Sequence, residues 1–196
     1  MSPDWFLRSR RVVTPGGTID AAVAIAGEKI AAVLAPEHVP ASSHVVDVGT
    51  SAVAPGLVDT HVHVNEPGRT DWEGFHTATR AAAAGGITTI VDMPLNSSPV
   101  TTSVAALEEK LHAVGGQLWV DCGFWGGLIP DNADSIDELL DAGVAGVKAF
   151  LVPSGIDDFP MATEEDLRRA MSLIARRQLP LASMGYRSDK YSHCPK

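Results

Sequence analysis

The sequence has little cysteine, little positive charge and no long apolar run, and each shortage argues against a class of protein. The two cysteines among 196 residues are Cys122, inside an apolar run, and Cys194, near the end; they have neither metal-ligand spacing nor the number a disulfide framework needs. Cys122 reads as core and Cys194 as tail. The formal net charge is -9 and no basic stripe offsets it, which argues against the clustered Lys and Arg of a nucleic-acid binder. No segment approaches the roughly 20 apolar residues of a membrane span. The opening MSPDWFLRSRRVV lacks the apolar stretch of a secretory signal. The expectation is a cytoplasmic protein that works on small molecules, with neither nucleic acid nor membrane as partner.

What is present is a 45% hydrophobic chain, long enough for one sizeable domain and a small accessory one. Residues 1–53 read as short strands with turn signals: FLRSRRVV, the turn TPGG, AAVAIAG, KIAAVLA, a loop with Pro36 and Pro40, then HVVDVG. This predicts a small β domain. From AVAPGLVDTHVH onward, strands alternate with helical stretches, which predicts βα units on a parallel sheet. The first unit is the strand Val53 to His61 with a helix in DWEGFHTATRAAAAGG, where Asp71 is a candidate start cap and Gly85 or Gly86 the stop. ITTIVDMP and TTSVAALEEKLHAV form the second, QLWVDCGFW and ADSIDELLDAG the third, GVKAFLV and TEEDLRRAMSLIARRQ the fourth. Four such units over residues 54–181 correspond to the opening half of a (β/α)₈ TIM-type barrel, whose chemistry sits at the C-terminal strand ends. His61 and His63 end the first strand; Asp92, Pro94 and Asn96 follow the second; Lys148 lies in the fourth.

Side chains of an extended segment alternate with a period of 2, so His61 and His63 project from one face and both reach one cation. The bland reading is a surface or satisfied core pair. Asp59 either accepts an N–H in the turn that follows or orients a ligand histidine. Lys148, inside AGVKAFLV, is costly to bury as an ammonium ion. As a neutral amine it would react with carbon dioxide to give a carbamate, an anionic donor for divalent cations; the alternative is a lysine snorkelling at a strand end. The other histidines, His38, His44, His76, His112 and His193, have no partner at useful spacing. The carboxylates of DELLD and TEEDL read as solvated helix faces.

Three stretches, PGLVDTHVHVNEPGRTDWEGF, AAAAGGITTIVDMPLNSSPVTT and GVAGVKAFLVPSGIDDFP, resemble the cyclic-amidohydrolase group of the amidohydrolase superfamily, and within it the allantoinases. The resemblance implies a small β-sandwich-like domain beside a metal-bearing barrel, His61 and His63 as ligands of one zinc, and Lys148 as a carboxylated lysine bridging to a second. It also implies hydrolysis of the ring amide of allantoin to allantoate, with an aspartate carrying the proton. Dihydroorotases resemble the first stretch but hold an arginine two residues after the second histidine, to pair with a substrate carboxylate. Asn65 stands there, and a neutral ureido-hydantoin needs the hydrogen-bond donors and acceptors that asparagine supplies. Asn96 is either a second substrate contact or a loop-turn asparagine. A hydantoinase or dihydropyrimidinase is the enzymatic alternative.

The resemblance stops after RRQLPL, and residues 182–196, ASMGYRSDKYSHCPK, read as a non-family tail. The family's further histidines and its proton-carrying aspartate have no counterpart, so no catalytic residue is assigned and the chain alone is expected to be inactive. Ser183-Met184-Gly185 is compatible with codons that, moved by one base, read Val-His-Gly, so a frame shift would account for the tail. Half a barrel exposes strand edges, and the expectation is a homo-oligomer or an aggregation-prone protein. A non-catalytic half-barrel scaffold is the alternative from outside enzymology.

Overall fold

The computed structural model describes residues 3–185. The chain divides into two compact units, Met1–Pro55 and Gly56–Lys196.

In the first unit, β1 (Trp5–Thr14), β2 (Gly17–Ala26) and β3 (Lys29–Leu34) form an antiparallel meander. β4 (Val45–Asp47) and β5 (Ala52–Val53) pair parallel to β1 and complete a five-stranded sheet. The β1–β2 turn needs Gly17, whose φ of 116° suits a residue without a Cβ. A register shift between Ser9 and Val12 interrupts the β1–β2 ladder. The buried Ser9 hydroxyl fills that break, donating to the Ser51 carbonyl at 2.5 Å and accepting the Arg11 N–H at 2.9 Å. Alternation along β2 supplies two small cores: Ala22 and Ala24 pack with Phe6, while Ala21 and Val23 pack with Val12.

The second unit alternates strand and helix throughout: β6 (Leu57–Val62), α1 (Phe75–Ala84), β7 (Ile87–Asp92), α2 (Val104–Val114), β8 (Asp121–Leu128), α3 (Ile136–Asp141), β9 (Gly146–Phe150), α4 (Glu164–Arg176) and β10 (Leu181–Met184). The five strands are parallel and lie in chain order, the arrangement of an opening half of a (β/α)₈ barrel. Of the residues read as a tail, Ala182 to Met184 belong to β10, and residues 186–196 lie outside the described residues. Among the described strands β6 and β10 are the edges, and Leu57 and Val58 on β6 are 63% and 59% exposed. No helix among the described residues is long and apolar enough to cross a membrane.

Helix starts follow local chemistry, with one correction. Ser103 caps α2 by accepting the Ala106 N–H, and Thr163 and Asp166 form a reciprocal capping box at α4. Asp166 is buried by that role, not solvated. Asp71 does not cap α1. The helix begins four residues later, after Gly74, because Glu66 reaches from the preceding loop and accepts the Phe75 N–H at 2.8 Å. The third strand also runs further than QLWVDCGFW predicts, through Gly126 and Gly127. Those glycines look like turn signals but serve packing. A Cβ on Gly126 would lie 2.7 Å from the Leu139 side chain of α3.

The main core lies between helices and sheet, from Phe75, Ile90 and Leu107 to Leu139, Val147 and Ile174. A second cluster, including Met93, Trp125, Phe150 and Phe159, occupies the strand ends. β9, the strand of Lys148, is buried along its whole length.

Candidate metal centre

β6 carries the histidine pair across an irregularity. Asp59 is opposite Ile90 and Val62 opposite Asp92, so β6 spends three steps where β7 spends two, in the stretch that holds His61. The carbonyl of Thr60 is satisfied there by the Trp125 indole N–H at 2.9 Å. Asp59 accepts the His61 N–H at 3.1 Å, the turn-acceptor role of its two readings. The His61 and His63 rings stand with centroids 5.4 Å apart at 50°.

Both imidazoles are held below their ordinary pKa of 6.5, chiefly by burial and then by nearby positive charge, which for both includes Lys148. For His63 a backbone hydrogen bond at Leu95 opposes the shift, and for His61 the Asp59 carboxylate does. Neutral imidazole is the form that binds a metal. Lys148 is 3% exposed, and burial lowers its pKa too. Its amine finds neither a carboxylate nor a hydrogen-bond acceptor among the described residues and lies 5.4 Å over the Phe150 ring. The fold thus brings two histidines held toward the neutral form and an amine without a partner among the described residues into electrostatic reach of one another, a donor set suited to a divalent cation. Among the described residues no third His, Cys, Asp or Glu joins the pair.

Asn96 takes the turn conformation of one of its two readings and also lies beside a histidine of the pair. Its φ of 79° is a turn conformation, and its Nδ2 lies 3.5 Å from His63 Nδ1. Asn65 is 8% exposed; its backbone bonds Glu73 and Arg69, and its side-chain oxygen is buried without a partner. The nearby Arg69 guanidinium lies over the Trp72 ring at 5.3 Å. Cys122 is half-buried and burial pushes its thiol up to about 12, which makes it inert. Cys194 lies outside the described residues.

The pair that sequence reasoning missed is Asp92 and Lys110, both fully buried and joined at 2.6 Å. Burial pushes the Asp92 carboxyl up to about 6 while the Lys110 charge opposes the shift. One signal was available. Lys110 follows Ala106 and Leu107 and precedes Val114 at helical spacing, on the face that α2 buries.

Comparison with known proteins follows the same division of the chain. The profile of the amidohydrolase family matches residues 52–183, and that of the allantoinase composite domain matches residues 3–51. The chain is 59% identical over 170 residues to an allantoinase of Streptomyces avermitilis, covering 86% of this chain and 38% of that protein. It is 46% identical over 184 residues to an allantoinase of Arabidopsis thaliana, covering 90% and 36%. It therefore spans less than two fifths of the length of these relatives. Among solved structures, the L-hydantoinase (dihydropyrimidinase) of Arthrobacter aurescens superimposes with a TM-score of 0.83 at 31% identity, over 92% of this chain and 40% of that one.

Proposed function

Because the chain belongs to the amidohydrolase family, we propose that it carries the first part of the metal centre of an allantoinase-type hydrolase, which opens the ring amide of allantoin to allantoate. The observation that carries this reading is Lys148, a buried residue with no counter-ion among the described residues and within electrostatic reach of both histidines. His61 and His63 would hold one zinc through their ring nitrogens. The Lys148 amine would attack carbon dioxide, forming an N–C bond as one C=O pair moves onto oxygen and the nitrogen releases a proton. The resulting carbamate would serve a second divalent cation. Bound metal would supply Lewis acidity toward the ring carbonyl and a lowered pKa for water.

The remaining roles belong to the chain's own polar groups. Asn96, beside His63, and Asn65, with a buried and unpartnered oxygen, offer donors and acceptors to a neutral ureido-hydantoin ring. A carboxylate substrate would require a cation where Asn65 stands. With two histidines and one lysine as the donors that the described residues bring together, the chain by itself is expected to bind metal yet turn allantoin over poorly. The exposed β6 edge supports self-association, which a compact monomer in size-exclusion chromatography would contradict.

Zinc analysis of the purified chain is the primary test. Retention of about one zinc per chain or more, lost in His61→Ala and Lys148→Met, supports the reading. Zinc-free protein that fails to take up added metal overturns it and favours a non-catalytic scaffold. The likeness to a hydantoinase supports a second substrate reading, and hydantoin bound in preference to allantoin would select it.

A further inference from the structure

The two residues that flank His63 are both tied to one dipeptide of the neighbouring strand. The Val62 carbonyl accepts the Met93 N–H at 2.7 Å, and the Val64 N–H donates to Asp92 Oδ1 at 2.7 Å. That dipeptide is held in turn from α2: Lys110 Nζ donates to Asp92 Oδ2 at 2.6 Å and to the Met93 carbonyl at 3.3 Å. Three residues further on, the same loop brings Asn96 to the ring of His63. Among the described residues Lys110 is therefore the cation whose hydrogen bonds reach both residues that tie the flanks of His63.

A fully buried ion pair is a weak source of stability, because desolvation offsets its attraction and apolar residues of similar volume do as well. Its geometric consequence is larger. We infer that Lys110 is a positioning residue: through Asp92 and Met93 it clamps the backbone on both sides of His63, and so sets the orientation of the His61–His63 pair toward a divalent cation. Neither Lys110 nor Asp92 is a ligand in this arrangement. Removing the clamp leaves both histidines in place but lets the strand end move, and supports of this kind are worth 10–100-fold in metal affinity.

The inference rests on the metal reading, so its test has one readout that needs no metal. Lys110→Met strands the Asp92 carboxylate and risks failure to fold; Asp92→Asn/Lys110→Met removes both charges and keeps the fold accessible. In the metal-free double variant, amide exchange at Val64 is expected to accelerate about tenfold or more relative to Val147, deep in β9. Zinc affinity, measured by competition with a chromophoric chelator, is expected to fall by 10–100-fold. Unchanged Val64 exchange overturns the clamp. Faster Val64 exchange with zinc affinity unchanged to within about twofold overturns the positioning role. A wild-type chain that binds no zinc overturns the metal reading and with it the positioning role, while Val64 exchange still decides whether the clamp exists.

Discussion

Lys110 and Lys148 are both buried in the barrel unit, 1% and 3% exposed, yet their surroundings ask opposite things of them. Lys110 sits under the strand ends with a carboxylate at 2.6 Å and a carbonyl at 3.3 Å. Lys148 sits in β9 against an aromatic ring and has no counter-ion among the described residues. Burial penalises the ammonium ion in both regions, and only the first compensates it. The consequence is a division of labour. A lysine with acceptors beside it holds backbone, whereas burial pushes one without a partner among the described residues toward the neutral amine.

The largest effect that would break this contrast is on stability. Lys110→Met is expected to destabilise the protein by about 3–5 kcal/mol in urea unfolding, because it leaves the buried Asp92 carboxyl without its partner. Lys148→Met should change stability by less than about 1 kcal/mol, since a thioether packs where an unpaired amine did. Equal losses would show that the two lysines are not different in kind. Labelled bicarbonate sharpens the same point: a carbamate signal is expected in the wild type and in Asn96→Ala, and is absent in Lys148→Met.

pH separates two buried carboxylates in the same way. Asp92 titrates near 6 in the folded chain, above its ordinary 3.8, so the folded state binds the proton more tightly. Its contribution is complete below the ordinary value and is lost as pH rises through about 6, and Asp92→Asn should flatten stability across that window. Asp166 is opposite. Hydrogen bonds from the Thr163 hydroxyl and N–H, then Arg169, hold it below the ordinary value of 3.8. Its contribution is present above that value and disappears as pH falls through the folded pKa, and Asp166→Ala should remove about 1 kcal/mol near neutrality. The smallest effect belongs to the exposed Glu164–Arg168 pair, where Glu164→Gln should alter stability by no more than about 0.5 kcal/mol.

The order of elements was legible because each strand and helix of the barrel unit carries its own period and stop signals. Ser103, Thr163 and Gly85 end or begin helices where local chemistry says they should. Asp71 misled because the competing acceptor, Glu66, comes from a loop and acts across nine residues. QLWVDCGFW stops short of Gly126 and Gly127, whose place in β8 depends on side chains of other elements that pack against them. Around the site, the nearness of the His61 and His63 rings was legible from the period of an extended segment, as was the oddity of a lysine in an apolar strand.

By itself the sequence determined the alternation of strand and helix, the common face of the two histidines, and the burial of Lys148, since each depends on neighbours a few residues away. Only tertiary structure decided that Lys110 meets Asp92, that Asp92 and Met93 bond the residues on both sides of His63, and that Lys148 meets no carboxylate among the described residues. The physical reason is distance along the chain. Periodicity says which way a side chain faces, but whether a buried charge finds its opposite depends on how separate elements pack.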